Sequence, residues 1–138
     1  MYGLIIFIYG KGVKLLGIKS VGYWLQKNYP KDFYSIGFYA GAGKFATPLR
    51  VEFEINTKKR NHYHLESLLN ESSESNLFLP LDEKNQMPDK KMWLKRKWRL
   101  LESGFSGLSP MVIYPQDHYD AIIFVREVTS PNYLKRSE

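Results

Sequence analysis

Four consecutive apolar residues near the end of the chain, Ile122-Ile123-Phe124-Val125, constrain the fold more than any other feature. Successive side chains of a strand point to opposite faces, so an unbroken apolar run describes a strand covered on both sides. A chain of 138 residues has few elements with which to build two covers. The run therefore predicts α/β or α+β organisation, with part of the cover lying in sequence that this chain does not contain.

The remaining signals alternate between strand and helix. Gly17, Ser20 and Gly22 open a helical pattern in which Val21, Trp24 and Leu25 share a face, and Pro30 ends it. Phe33 to Tyr39 reads as a strand, followed by a glycine-rich turn at Gly41-Ala42-Gly43. Leu49, Val51, Phe53 and Ile55 alternate with Arg50, Glu52, Glu54 and Asn56, the pattern of a strand with one wet face. Asn61 is placed to cap a short helix through Leu65, Leu68 and Leu69, and Asn70 to Asn76 reads as a loop. Leu77 to Leu81 suits an edge strand, because Pro80 has no N–H to donate. Pro88 suits the first turn of a helix running to about Leu101, and Met111 to Tyr114 and Tyr119 to Val125 close the chain as strands. No repeat or internal boundary divides residues 1–138, which read as a single, partial domain.

Composition removes several function classes. With no cysteine there is no disulfide scaffold, thiolate metal site or cysteine nucleophile, and the chain fits a reducing compartment such as the cytoplasm. Tyr2 to Tyr9 is apolar but too short to span a bilayer, has no cation before it and no small-residue cleavage site after it, so neither secretion nor anchoring is expected. The net charge of +6 raises nucleic acid as a partner. Much of it is local to Lys90-Lys91-Met92-Trp93-Leu94-Lys95-Arg96-Lys97-Trp98-Arg99. On a helix, Leu94, Trp98 and Leu101 would form a core stripe while Lys91, Lys95 and Arg99 shared a solvated face, which leaves the indoles unavailable for stacking on bases.

Candidate chemistry is sparse. His62 and His64 are two apart, without the further ligands that a metal site needs, and read as a surface His-Tyr-His at a helix start. His118, between Asp117 and Asp120, is a fallback base with Asp120 as its orienting acid, although a side-chain-capped turn explains the same residues. Gly41-Ala42-Gly43-Lys44 lacks the spacing of a phosphate-binding loop and has Phe45 at the hydroxyl position. Neither metal nor cofactor is expected.

Three stretches, in order, resemble the erythromycin esterase family. Ile18-Lys19-Ser20-Val21-Gly22-Tyr23-Trp24-Leu25 is similar to the family's S-M-G-x-x-L helix, and leads into Tyr34-Ser35-Ile36-Gly37-Phe38-Tyr39, similar to its x-x-I-G-F strand. Gly41 to Ala46 resembles its G-x-G-x-F-x-A turn, one residue shorter. Tyr119-Asp120-Ala121-Ile122-Ile123-Phe124-Val125, with Glu127, Thr129 and Pro131, resembles its closing F-D-A strand. The resemblance spans residues 17–131 and implies a C-terminal fragment of an α/β hydrolase, a mixed sheet with flanking helices, from proteins roughly three times as long.

By that resemblance the intact activity is hydrolysis of a macrolide lactone ester, with antibiotic response and macrolide resistance as its setting. The family's catalytic histidines and glutamate activate water, and one histidine pair lies in a W-A-H-N-x-H-[IV] segment just before the S-M-G helix. The equivalent stretch here, Tyr2 to Tyr9, holds no histidine, so no catalytic position carries over. Gly41, Gly43 and Phe45 would be structural or line the substrate cleft from one side. One synonymous coding of Met1 to Gly10, ATG TAT GGG CTC ATA ATT TTC ATA TAT GG, gives V-W-A-H-N-F-H-I-W when read from its third nucleotide. Residues 1–10 are accordingly expected to mark a frameshift or an atypical start, with a separate N-terminal half of the hydrolase as partner. The alternative is a small basic nucleic-acid-binding protein acting through the Lys90 to Arg99 helix.

Overall fold

The structure, a computed structural model, describes residues 14–15, 18–46, 50–57, 63–81, 96–104 and 107–132. The apolar run falls on the strand β8 (Ala121–Val128), inside a four-stranded sheet. Its neighbours are β3 (Ile36–Ala46), parallel to it, and β5 (Asn76–Pro80), antiparallel; β4 (Glu52–Asn56) pairs with the outer edge of β3 to give the order β4-β3-β8-β5. β5 is an outer strand of this sheet, where the missing N–H of Pro80 costs no ladder bond. In β4 the expected alternation appears from Glu52 onward, with Glu52 and Glu54 exposed, Phe53 half-buried and Ile55 buried; Val51, expected on the core face, precedes the strand and is exposed.

Register determines which residues share a face. Tyr39 and Leu77 both pair with Phe124, and Gly37 and Leu79 both pair with Ile122. These two rows form the covered face, on which Ile122 and Phe124 have no exposed surface. Their cover is α2 (Leu65–Leu69), through Leu65 and Leu69, together with a hairpin of β6 (Trp98–Gly104) and β7 (Gly107–Ile113) that contributes Trp98, Leu100 and Ile113. Each such side chain, fully buried, contributes roughly 1.5–3 kcal/mol. On the opposite face, Phe38 and Phe78 both pair with Ile123 and are 53% and 57% exposed.

The helix α1 (Val21–Asn28) begins where the sequence places it, because the hydroxyl of Ser20 accepts the N–H of Tyr23 at 3.1 Å. Its apolar stripe is only partly used: Val21 and Trp24 are exposed and Leu25 is half-buried. α3 (Pro115–His118) is a single turn with proline in its first turn, and β1 (Lys14–Leu15) pairs with β2 (Ile18–Lys19) as a short antiparallel ladder. No helix among the described residues is long and apolar enough to cross a membrane.

Three expectations are corrected. The helix to Leu101 is wrong at its end, where Trp98 to Leu101 belong to β6; residues 88–95, and with them most of the basic run, lie outside the described residues. Trp98 and Leu100 are buried while Arg99 is exposed, a period of two that β7 satisfies by pairing Trp98 with Ile113 and Leu100 with Met111. The turn at Gly41 to Gly43 is not a turn, because β3 runs through it. Gly43 does hold a positive φ of 111°, and a Cβ there would also sit 1.9 Å from the carbonyl oxygen of Val128. Finally, the N-cap position of α2 is His64, which makes no side-chain capping bond, and not Asn61, which with His62 and Leu49 lies outside the described residues, as do residues 1–10.

Gly43→Ala must therefore separate β3 from β8 as well as strain the backbone. It should destabilise the chain by about 2–5 kcal/mol in urea unfolding. An unchanged midpoint would show that the two strands do not meet at this position.

Candidate functional site

The residues singled out for chemistry fall in two places. The first is the entrance to β3 and β8. Here Asp120 Oδ2 accepts the backbone N–H of Ser35 at 2.8 Å, and Ser35 Oγ donates to the carbonyl oxygen of His118 at 3.1 Å. The backbone returns the contact, with the N–H of Asp120 donating to the carbonyl of Ser35 at 2.7 Å. Pro115 starts α3 and so turns the chain towards β8; His118 ends that helix, its ring 6.2 Å from that of Tyr119. The Asp120 carboxylate thus holds the first rung of the parallel pair, a long-range contact with Ser35 rather than a local cap within its own turn.

The second place surrounds Gly41. The hydroxyl of Thr57, fully buried, donates to the carbonyl oxygen of Gly41 at 2.6 Å and accepts from Asn70 Nδ2 at 3.3 Å. Ser67 Oγ donates to the carbonyl of Thr57 at 3.0 Å. At the start of the same helix His64 Nδ1 lies 3.9 Å from Glu66 Oε2, with the two side chains 7% and 1% exposed. His64 was expected at the surface and is instead buried, because its backbone bridges to β6 at Arg99 and draws α2 against the hairpin. Tyr63 is the exposed member of the pair, and the N–H of Arg99 donates to its carbonyl at 3.0 Å.

A histidine beside a carboxylate is the constellation of an oriented general base. Here it is sealed. A base must reach a proton on water or substrate, and these two side chains are almost wholly enclosed by the packed core. Gly41 is likewise a packing position, since a Cβ on it would meet Arg126 O at 2.8 Å, Asn70 Oδ1 at 2.8 Å and Phe124 Cζ at 2.9 Å. Phe45 stacks on Phe53 of β4, with ring centroids 5.5 Å apart. No group of three or more His, Cys, Asp or Glu that could hold a metal exists among the described residues.

Sequence reasoning placed Asp120 and Gly41 among candidate residues but missed Thr57, Glu66, Ser67 and Asn70 altogether. Glu66 follows Leu65 in the helix Leu-Glu-Ser-Leu-Leu, where local sequence gives no sign that the carboxylate turns inward while Leu68 stays exposed. Nothing in the sequence distinguishes Thr57 from a loop threonine. Thr57→Val retains shape and removes one donor and one acceptor, leaving the Gly41 carbonyl without this buried hydroxyl. It should cost about 1–3 kcal/mol of unfolding free energy, whereas a change below a few tenths would show the cluster to be wet.

The profile of the erythromycin esterase family matches residues 10–128. No curated protein sequence matches the chain. Among solved structures, a Bacillus cereus protein is 16% identical with a TM-score of 0.63, the match covering 80% of this chain and 28% of that one. A succinoglycan biosynthesis protein is 15% identical with a TM-score of 0.63, covering 78% and 27% respectively. These likenesses show the fold. The chain spans little more than a quarter of the length of either relative.

Proposed function

This chain belongs to the erythromycin esterase family, and we propose that it is the closing segment of such a hydrolase, supplying sheet and core but no ester-cleaving centre of its own. The observation that carries this is the burial of the histidine–carboxylate pair. His64 and Glu66 face the core between α2 and β6, and the Asp120 carboxylate holds the backbone of Ser35. The family resemblance puts the water-activating histidines ahead of the helix α1, where Tyr2 to Tyr9 contains none. Gly41, Gly43 and Phe45 then act in packing, holding β3 against β8 and β4. The absence of cysteine accords with work in a reducing compartment such as the cytoplasm.

The chemical argument is one of missing parts. Hydrolysis of a lactone near neutral pH needs a base in hydrogen-bond reach of a water and donors placed where negative charge develops. Loss of a general base alone typically costs about two to four orders of magnitude in rate. The substrate of the intact assembly, which the family resemblance makes a macrolide ester, would be opened by groups from outside this chain.

Incubated with erythromycin-type lactones and followed by mass spectrometry, the purified chain should give no ring-opened product above the uncatalysed control. Turnover abolished by His64→Ala or His118→Ala would overturn the proposal, since it would require a centre built from residues assigned here to packing and turn formation.

A further inference from the structure

The strand geometry of β6 decides which cations of the basic segment stand together. On a helix Arg99 would have joined Lys91 and Lys95. On a strand it shares a face with Lys97, since exposed Lys97, buried Trp98, exposed Arg99 and buried Leu100 alternate. β7 extends that face: Arg99 pairs with Val112, which is 55% exposed, and Lys97 Nζ lies 5.6 Å from the centroid of the Tyr114 ring. On the other side of β6 runs the chain at Tyr63, whose carbonyl accepts the N–H of Arg99 at 3.0 Å and whose ring is 54% exposed. The Arg96 guanidinium stands 4.3 Å from the centroid of the Trp98 ring and 5.9 Å from that of Tyr63.

Elsewhere on the molecule a surface cation meets a carboxylate, as Lys44 meets Glu52 at 4.0 Å. Among the described residues no carboxylate pairs with Arg96, Lys97 or Arg99, and the first two lie over aromatic rings instead. The exposed carboxylate that follows Tyr114 is Asp117, on α3. Cations interleaved with ring faces on one β-ribbon supply the two kinds of contact that a flexible polynucleotide strand takes, charge for its phosphates and a platform for its bases. We propose that the outward face of the β6–β7 hairpin, with Tyr63 at its side, binds a single-stranded polynucleotide. Lys97 and Arg99 stand two strand residues, roughly 7 Å, apart and take separate phosphates. The Tyr63 ring offers its face to a base, with the Arg96 guanidinium beside it. The indole of Trp98, buried beneath Arg96, takes no part. A duplex fits this surface less well, because its bases face inward and leave the tyrosine nothing to stack on. An acidic polypeptide or an anionic bilayer would use the cations alone.

The test is fluorescence anisotropy of a labelled oligouridylate titrated with the full chain across a series of salt concentrations. Saturable binding is expected at about 50 mM salt, weakening steeply as salt rises. Lys97→Ala with Arg99→Ala should reduce the slope of log affinity against log salt by roughly 1.4, two phosphate contacts at about 0.7 each. Tyr63→Leu should leave that slope unchanged and weaken binding roughly fivefold or more. Lys27→Ala with Lys31→Ala removes the same charge from exposed positions on and after α1, and should leave the affinity within about twofold. Ultraviolet cross-linking of the unsubstituted chain to a bromouridine oligonucleotide should label the peptide that holds Tyr63, a readout independent of how any variant folds. The proposal is overturned by an oligonucleotide that does not bind at low salt, or by a control pair that costs as much as the hairpin pair. It is equally overturned if Tyr63→Leu is silent while heparin, polyglutamate or phosphatidylglycerol vesicles bind as well as the oligonucleotide, which would make the hairpin a general cationic surface, or if cross-links fall only on peptides away from Tyr63 and the hairpin.

Discussion

The parallel pairing of β3 with β8 is the contact on which the rest of this structure depends. It joins residues some eighty-five positions apart, from Ile36 with Ala121 to Gly43 with Val128, so its loop-closure cost falls on the whole intervening chain. Everything that makes the pairing possible lies in its immediate surroundings. Asp120 and Ser35 bind one another's backbone at the first rung. Gly41 and Gly43 remove the side chains that would hold the strands apart further along. Arg126 donates to the carbonyls of Ser72 and Glu74, and its own N–H reaches Ser75, fixing the loop that delivers β5 to the other side of β8. Once β8 is seated, Ile122 and Phe124 give α2 and the hairpin a surface on which to pack.

That dependence explains which parts of the fold could be read from sequence. Local chemistry was legible wherever one residue decides the outcome, as when Ser20 caps α1, Pro115 opens α3 or Pro80 lies in a strand with a free edge. The β4 alternation was legible because strand and helix readings disagree sharply over Leu49 to Asn56. The stretch around Trp98 offers no such separation. Trp98 and Leu101 fit a helical stripe, Trp98 and Leu100 a strand, and the partner strand β7 decides between them from a position still to come in the sequence. The Gly41 to Gly43 error has a similar origin. The glycines suggest a reversal of direction, but at position 43 what excludes a side chain is Val128, far along the chain.

The candidate site was harder to read than the fold, since a histidine's exposure is a tertiary property. His64 looked like a surface residue and is buried; Asp120 looked like an orienting acid and is a backbone ligand. Their chemistry is set by what packs around them, and neighbours in sequence say little about that. The glycine, serine and aspartate motifs that carried the family resemblance proved to be determinants of strand pairing and capping. They identify a fold without identifying an activity, which accords with a likeness at 16% identity that extends over backbone geometry.

Comparison of β4 with β8 within the one molecule shows what solvent does to a strand's composition. β4 has a wet face, on which glutamates stand at Glu52 and Glu54. β8 also leaves a face open at Ile123 and its flanking phenylalanines, yet no charge interrupts its run from Ala121 to Val125. Phe38 and Phe78 are more than half exposed, while Ile123 between them is half-buried and Ala121 in the adjacent row of β8 has no exposed surface. The alternating pattern of β4 shows that the chain uses glutamates where a strand is wetted. Among the described residues, the half-exposed indole of Trp24 on α1 lies outside the buried core cluster and meets the ring of Tyr23 edge-on.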